Sequence, residues 1–145
     1  MKRICLLAAA FLSLAYGAPA QAQMGCASAP SSIPDITGTY LDNYGGLQAI
    51  LEKYWVSGRL VFETCSVDNA KKRVIAWNGL RDPYNPGKFS RFEWLNFKGR
   101  LWYCQSVFNA ASETDAEAAS PADPSDPRIG GCGQFEWSTL IRIGQ

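Results

Sequence analysis

The stretch FSRFEWLNF-KG-RLWYCQSVF, residues 89–108, decides the fold. Two aromatic-rich runs flank Lys98-Gly99. A two-residue connection containing glycine between such runs is a strong β-hairpin signal. Along the first run Phe92 and Trp94 share one face, while Arg91 and Glu93 share the other. Along the second, Leu101, Tyr103 and Gln105 oppose Trp102 and Cys104.

Working outward from the hairpin, more strands follow the same logic. RVIAWN (73–78) and RLVFETCSV (59–67) read as strands joined by the charged turn DNAKK (68–72). The alternation within 59–67 puts Val61, Cys65 and Val67 on one face and Phe62, Thr64 and Ser66 on the other. ITGTYL (36–41) is β-branched and aromatic, and it runs into DNYGG, whose Asp, Asn and Gly residues tolerate turn conformations. LQAILEKYWV (47–56) is read as one strand, because β-rich segments surround it, although helical spacing of Leu47, Ile50, Leu51 and Tyr54 also fits. GLRDPYNPGK (79–88) is a loop. With Arg81, Asp82, Tyr84, Lys88 and the nearby Arg91, it is either a surface recognition loop or a plain charged connection.

Beyond the hairpin the composition shifts. NAASETDAEAASPADPSDPR (109–128) is rich in Ala, Ser, Pro and acid. Its ASETDAEAA portion can form one or two helical turns capped by Ser112, and Pro121, Pro124 and Pro127 stop anything longer. GGCG (130–133) is a turn, and QFEWSTLIRI (134–143) is a closing strand. Six clear strands and one or two doubtful ones, joined by short turns, predict an all-β domain. It is an up-and-down antiparallel meander, a barrel or a flattened sandwich, with one long polar loop. That excursion exceeds ordinary loop length and its interleaved prolines suggest a solvated loop.

The ends predict the compartment. Lys2 and Arg3 precede the apolar run ICLLAAAFLSLAYGA and the small-residue site Ala20-Gln21-Ala22. This is the order of a signal peptide over 1–22, with Ala18-Pro19-Ala20 a second site. Gly25-Cys26 resembles a lipidation site, but Gln23 stands where such a signal has leucine. The expected product is exported, periplasmic or secreted, with a flexible arm over 23–35 and one domain over 36–145. Removing 1–22 leaves 123 residues, in which 12 basic side chains face 13 acidic ones for a net charge of −1. No basic stripe invites nucleic acid or anionic lipid, and no membrane span follows the signal; a monomer is expected.

Four cysteines remain after cleavage: Cys26, Cys65, Cys104 and Cys132. An even number in a small exported chain implies two disulfides, with three possible connectivities. Loop logic favours Cys104–Cys132, stapling the base of the excursion, and Cys26–Cys65, tying the arm to the body.

The chain contains no histidine, which removes Ser-His-Asp and Cys-His nucleophilic centres and His-ligated zinc. Glu63, Glu93 and Glu136 stand within strands and are read as solvent-facing. The acids of the excursion lack the D-x-[DN]-x-[DN]-G order of a calcium loop. No enzyme activity, metal or cofactor is expected. The aromatic residues carry the functional reading. Trp55, Trp77, Trp94 and Trp102, with Tyr84, have the stacking faces and polar handles of a small-ligand site, and equally the bulk that fills a small barrel.

Gly38-Thr39-Tyr40 is similar to the Gly-x-Trp that opens lipocalin and avidin-type (calycin) barrels, with Tyr in place of Trp. That resemblance implies that Arg142, near the chain's end, packs on Tyr40 and closes the barrel. DNYGG, SVDN, KFSRFEWLN, LWYCQ and GGCGQFEW resemble small exported bacterial proteins of unassigned function. The expected role is a non-catalytic binding module for a small apolar or sugar-like ligand at the barrel mouth. The alternative is an interaction protein, such as an inhibitor of a secreted hydrolase.

Overall fold

Lys98 and Gly99 both take positive φ, 50° and 76°, the conformation that a tight two-residue hairpin requires. They join β6 (Phe89–Phe97) to β7 (Arg100–Ala110). The computed structural model describes residues 24–144, so the expected signal segment lies outside the described residues. The preceding strands are β1 (Gly38–Asp42), β2 (Leu47–Ile50), β3 (Tyr54–Ser57), β4 (Leu60–Asp68) and β5 (Arg73–Trp77). After β7 come the short helix α1 (Glu113–Ala118), the two-residue strands β8 (Gly131–Cys132) and β9 (Phe135–Glu136), and β10 (Ser138–Arg142). All eight long strands pair antiparallel with their chain neighbours, and β10 pairs with β1 and β7 to close the barrel. The expected all-β meander is therefore a closed eight-stranded barrel. Closure gives each of these eight strands a neighbour on both sides.

Three local readings need correction. Residues 47–56 are two strands, not one: Leu51 N–H donates to Tyr54 O across a turn that exposes Glu52 and Lys53. Four residues on either side are too few for alternation to register. Residues 134–143 likewise divide, into β9 and β10. In β4 the pairing with β5 shifts between Thr64 and Ser66, and such a bulge reverses the facing of everything after it. Val67 consequently packs with the interior alongside Phe62, while Cys65 packs outside.

The interior is filled by side chains. Trp55 stacks on Phe92 with ring centroids 4.5 Å apart, Phe62 meets Phe92 edge-on at 5.0 Å, and Tyr103 tilts against Trp55 at 5.7 Å. Ile36, Tyr40, Ile50, Val74, Trp94 and Leu140 complete this core. Small barrels fill their lumen in this way, and each buried aromatic removes a large apolar area from water.

The excursion is not a solvated loop. Ser112 caps α1, its hydroxyl accepting from Asp115 N–H, and Ala116 and Ala122 are buried against the barrel wall. The fastening comes from Arg91 and Glu93, which leave the outer face of β6 under the excursion. Arg91 is completely buried, so it is not part of an exposed loop. Its guanidinium donates to the carbonyls of Ala116, Ala119 and Ser120, groups that the end of a helix otherwise leaves unpaired. Its Nε lies 2.9 Å from Glu93 Oε1. Glu93 also accepts from Ser106 Oγ at 2.6 Å and Ala122 N–H at 3.2 Å. Glu93 is therefore buried rather than solvent-facing, whereas Glu63 and Glu136 are exposed. Two further acids of the excursion tie it to distant parts of the chain: Glu113 accepts from Ala27 N–H, and Glu117 pairs with Lys71 and Arg73.

Two disulfides join Cys26 to Cys65 and Cys104 to Cys132. The first fastens the arm, which carries no helix or strand between 24 and 37. Asp35 extends that fastening at one end of the barrel, accepting from Trp94 Nε1 at 2.9 Å and from Lys72 Nζ at 2.7 Å.

Candidate functional site

The five aromatic residues expected to hold a ligand do not meet. Trp55 and Trp94 belong to the barrel core. Trp77 packs outside the wall with Cys65, Phe89 and Ala116, and Trp102 packs with Trp137 and the Cys104–Cys132 bridge. Tyr84 stands 77% exposed on the 78–88 loop. A period of two sends alternate residues to opposite sides of a barrel wall, so aromatics spread over several strands reach separate compartments.

The end of the barrel nearest residues 43–46, the mouth, is plugged by polar side chains. Asp42 Oδ2 accepts from Gln48 Nε2 at 3.0 Å, and Gln48 Oε1 accepts from Trp55 Nε1 at 3.0 Å. Gln48 Nε2 also donates to Ser57 Oγ, and Tyr103 Oη approaches Asp42 Oδ2 at 3.4 Å. Burial and the Asp42 charge both push the Tyr103 phenol well above its usual range, so it stays a neutral donor. Asp42 holds the DNYGG turn as well, its Oδ1 accepting from Tyr44 and Gly46 N–H. These groups satisfy one another, and a ligand entering here would have to displace bonds already made.

The opposite end, the base, is built around Gly38, Tyr40 and Arg142. Tyr40 and Arg142 are partners in the β1–β10 register. The guanidinium carbon lies 4.9 Å from the Tyr40 ring centroid, and Arg142 Nη2 donates to Tyr40 Oη at 2.7 Å and to Thr37 O at 2.9 Å. Tyr40 Oη donates in turn to Ile36 O at 2.8 Å. Gly38, at φ +151°, makes room for this stack: a Cβ there would collide with the Arg142 guanidinium at Nη1. Gly38→Ala combines that clash with a backbone region that side chains rarely adopt. A loss of roughly 2–3 kcal/mol is expected in urea denaturation. A loss below about 0.5 kcal/mol, the range of ordinary surface substitutions, would show that the guanidinium seat is loose.

A cleft of about 570 Å³ opens beside this stack. Its cause is visible in the strand register. The β10–β7 ladder ends at Leu140 opposite Leu101, whereas β10 continues to Arg142 along β1 and β7 begins at Arg100 along β6. The two strands part for their last residues and leave a notch. Its apolar surface comes from Ile36, Leu101, Leu140 and Ile141, and its polar rim from Asn96, Arg100 and Arg142. Asp35 also borders the cleft but is engaged by Lys72 and Trp94. Neither Arg100 nor Arg142 has a carboxylate partner among the described residues. The arrangement can accept an anionic group at the rim with an apolar body below it, since guanidinium matches carboxylate and phosphate oxygens in pairs.

Sequence reading singled out Tyr40 and Arg142 but not Arg100, Asp35 or the Arg91–Glu93 pair. The last did carry a signal: opposite charges two residues apart on the aromatic-rich strand share a face. The cleft carried none, because it exists only where two distant strands diverge. No family model, no curated protein and no solved structure matches the chain. The two disulfides fit an oxidising compartment, and no helix among the described residues is long and apolar enough to cross a membrane.

Proposed function

We propose that this protein is an exported, non-catalytic binding module of the calycin type, and that it takes a small anionic amphiphile in the cleft at the barrel base. The observation that carries the reading is the pair of guanidinium groups, Arg100 and Arg142, standing without carboxylate partners above an apolar floor. The cleft volume falls within the range of small-molecule sites. The filled interior and the polar plug of Asp42, Gln48 and Ser57 argue against a ligand at the barrel mouth, where the sequence reading places it. The inhibitor reading rested on a free long loop, and the packing of the excursion against β6 removes that support.

Calorimetric titration with octanoate, octanol and a disaccharide tests the reading. Octanoate is expected to bind best, because it alone supplies both the charge and the apolar chain. Arg100→Gln, at an exposed position outside the barrel-closing stack, is expected to weaken octanoate about tenfold, the equivalent of one charge-assisted hydrogen bond, and to leave octanol unchanged. Tighter binding of the disaccharide, or octanoate affinity indifferent to Arg100→Gln, would move the ligand class away from anions. Absence of saturable binding by all three at millimolar concentration would remove the cleft as a site.

A further inference from the structure

At the mouth end of the barrel β4 outruns β5. Their ladder stops at Glu63 opposite Trp77, so Leu60, Val61 and Phe62 have no strand beside them on that side. The chain instead turns away at Asn78 into the 78–88 loop. A cleft of about 400 Å³ lies between the start of β4 and this loop, bordered by Arg59, Leu60, Val61, Leu80, Arg81 and Pro83 and by none of the plug residues. The loop is held in one shape. Asp82 Oδ1 accepts from Tyr84 N–H at 2.9 Å and from Asn85 N–H at 2.6 Å. Gly87 N–H donates to Gly79 O at 2.8 Å, and Asn78 N–H donates to Lys88 O at 2.9 Å. The buried Asn78 side chain donates to Asn85 O and Phe108 O and accepts from Ser90 Oγ. On this frame Leu80 is 63% exposed, and Val61 across the cleft is 54% exposed. Arg59, Arg81 and Lys88 are exposed, and none has an ion-pair partner among the described residues. The acid at the cleft, Asp82, is engaged by the loop's own amides.

We infer that this cleft docks an extended acidic segment of a partner protein, with an apolar side chain on Val61 and Leu80 and carboxylates on Arg59 and Arg81. Of the two sequence readings of the loop, recognition surface or plain connection, this takes the first. Three observations select the occupant. Two unpartnered guanidinium groups border one cleft on a chain whose basic and acidic side chains nearly balance, so the local complement is a carboxylate-bearing surface. The open edge at Leu60–Phe62 presents main-chain groups that only another polypeptide matches, by strand addition. The loop is already ordered, so docking costs little conformational entropy. A lipid surface supplies the charge but no main-chain partner, and it meets protrusions better than a cleft. The contact is small, which makes it transient. It stands at the opposite end of the barrel from Arg100 and Arg142.

Fluorescence anisotropy with the labelled peptide Glu-Glu-Leu-Glu-Glu tests this. A Kd on the order of 100 μM at low salt is expected for so small a contact, weakening at least about fivefold at about 0.5 M salt. Glu-Glu-Gly-Glu-Glu should bind about fivefold more weakly, since it lacks the apolar side chain. Arg59→Glu and Arg81→Glu, both at exposed positions, should each weaken the leucine peptide about tenfold. The variant carrying both exchanges should instead take Lys-Lys-Leu-Lys-Lys, and this gain cannot arise from misfolding. Absence of saturation at about 5 mM peptide, equal binding of the leucine and glycine peptides, or indifference to both exchanges overturns the inference. So does tighter, arginine-dependent binding to phosphatidylcholine vesicles containing about 30% phosphatidylglycerol, which would make the surface a membrane contact. Octanoate should leave peptide affinity unchanged; competition between the two would place the peptide in the basal cleft and overturn the inference. A protein that takes the peptide but not octanoate would keep this site and lose the basal one.

Discussion

Replacing Arg91 by leucine is expected to destabilise the protein by about 4 kcal/mol, because breaking a buried pair leaves an uncompensated charge in the interior. The substitution strands Glu93, whose carboxylate is held by Arg91, Ser106 and the Ala122 amide. It also strips the carbonyls of Ala116, Ala119 and Ser120 of their donor. For a domain of this size the loss corresponds to a fall in melting temperature of roughly 15 °C. Two further readouts separate this from a generic core defect. Proteolysis should open within 109–124, since the excursion loses its anchor while the barrel ladder remains. The double variant Arg91→Met with Glu93→Leu should be less destabilised than Arg91→Leu, because two apolar side chains leave no buried charge. A loss below about 1 kcal/mol for Arg91→Leu would mean that the excursion is held by other contacts.

The second large effect concerns the Cys104–Cys132 bridge. It spans 28 residues and closes the excursion onto β7. Replacing both cysteines by serine frees the unfolded chain of that loop and is expected to cost about 4 kcal/mol on the chain-entropy account. Cys104 and Cys132 are both buried beside Trp137 and Ala122, so the serines add a packing loss on the same side. Hydrogen exchange should rise mainly in 109–132 and much less in β1 to β4. The Cys26–Cys65 bridge spans 39 residues, and its removal should release the arm and the Asp35 contacts at the base. Uniform acceleration of exchange across the whole barrel after loss of Cys104–Cys132 would contradict the picture of a separately fastened flap. Arg91→Leu and this double serine variant act on one element, so their costs should not add fully.

The legible and illegible parts of the fold divide by range. The Lys98-Gly99 hairpin was legible because a two-residue turn and two alternating runs lie next to one another in the chain. Ser112 as helix cap was legible for the same reason: its partner, Asp115 N–H, is three residues away. The 47–56 hairpin was not, because a four-residue strand shows too little alternation and its turn lacks glycine or proline. The β4 bulge was invisible, since a register shift is a property of the pairing and not of either strand. Arg91 and Glu93 looked like the solvent face of a strand because nothing local marks the excursion that later covers them. The contact between Tyr40 and Arg142 crosses about a hundred residues and was expected only through resemblance to known barrels.

By itself the sequence determined that the chain makes an all-β meander and that it carries no histidine on which catalysis could rest. These follow from local periodicity, turn chemistry and composition, which need no knowledge of neighbours in space. Only the tertiary structure decided that the aromatics divide between the filled barrel interior and the outside of its wall instead of lining one cavity, and that the acidic excursion is a fastened cover. It also decided that β7 and β10 part at the base to form a cleft. Each of these depends on which side of a wall a residue reaches and on what distant segment arrives above it. Closing the barrel sets both at once.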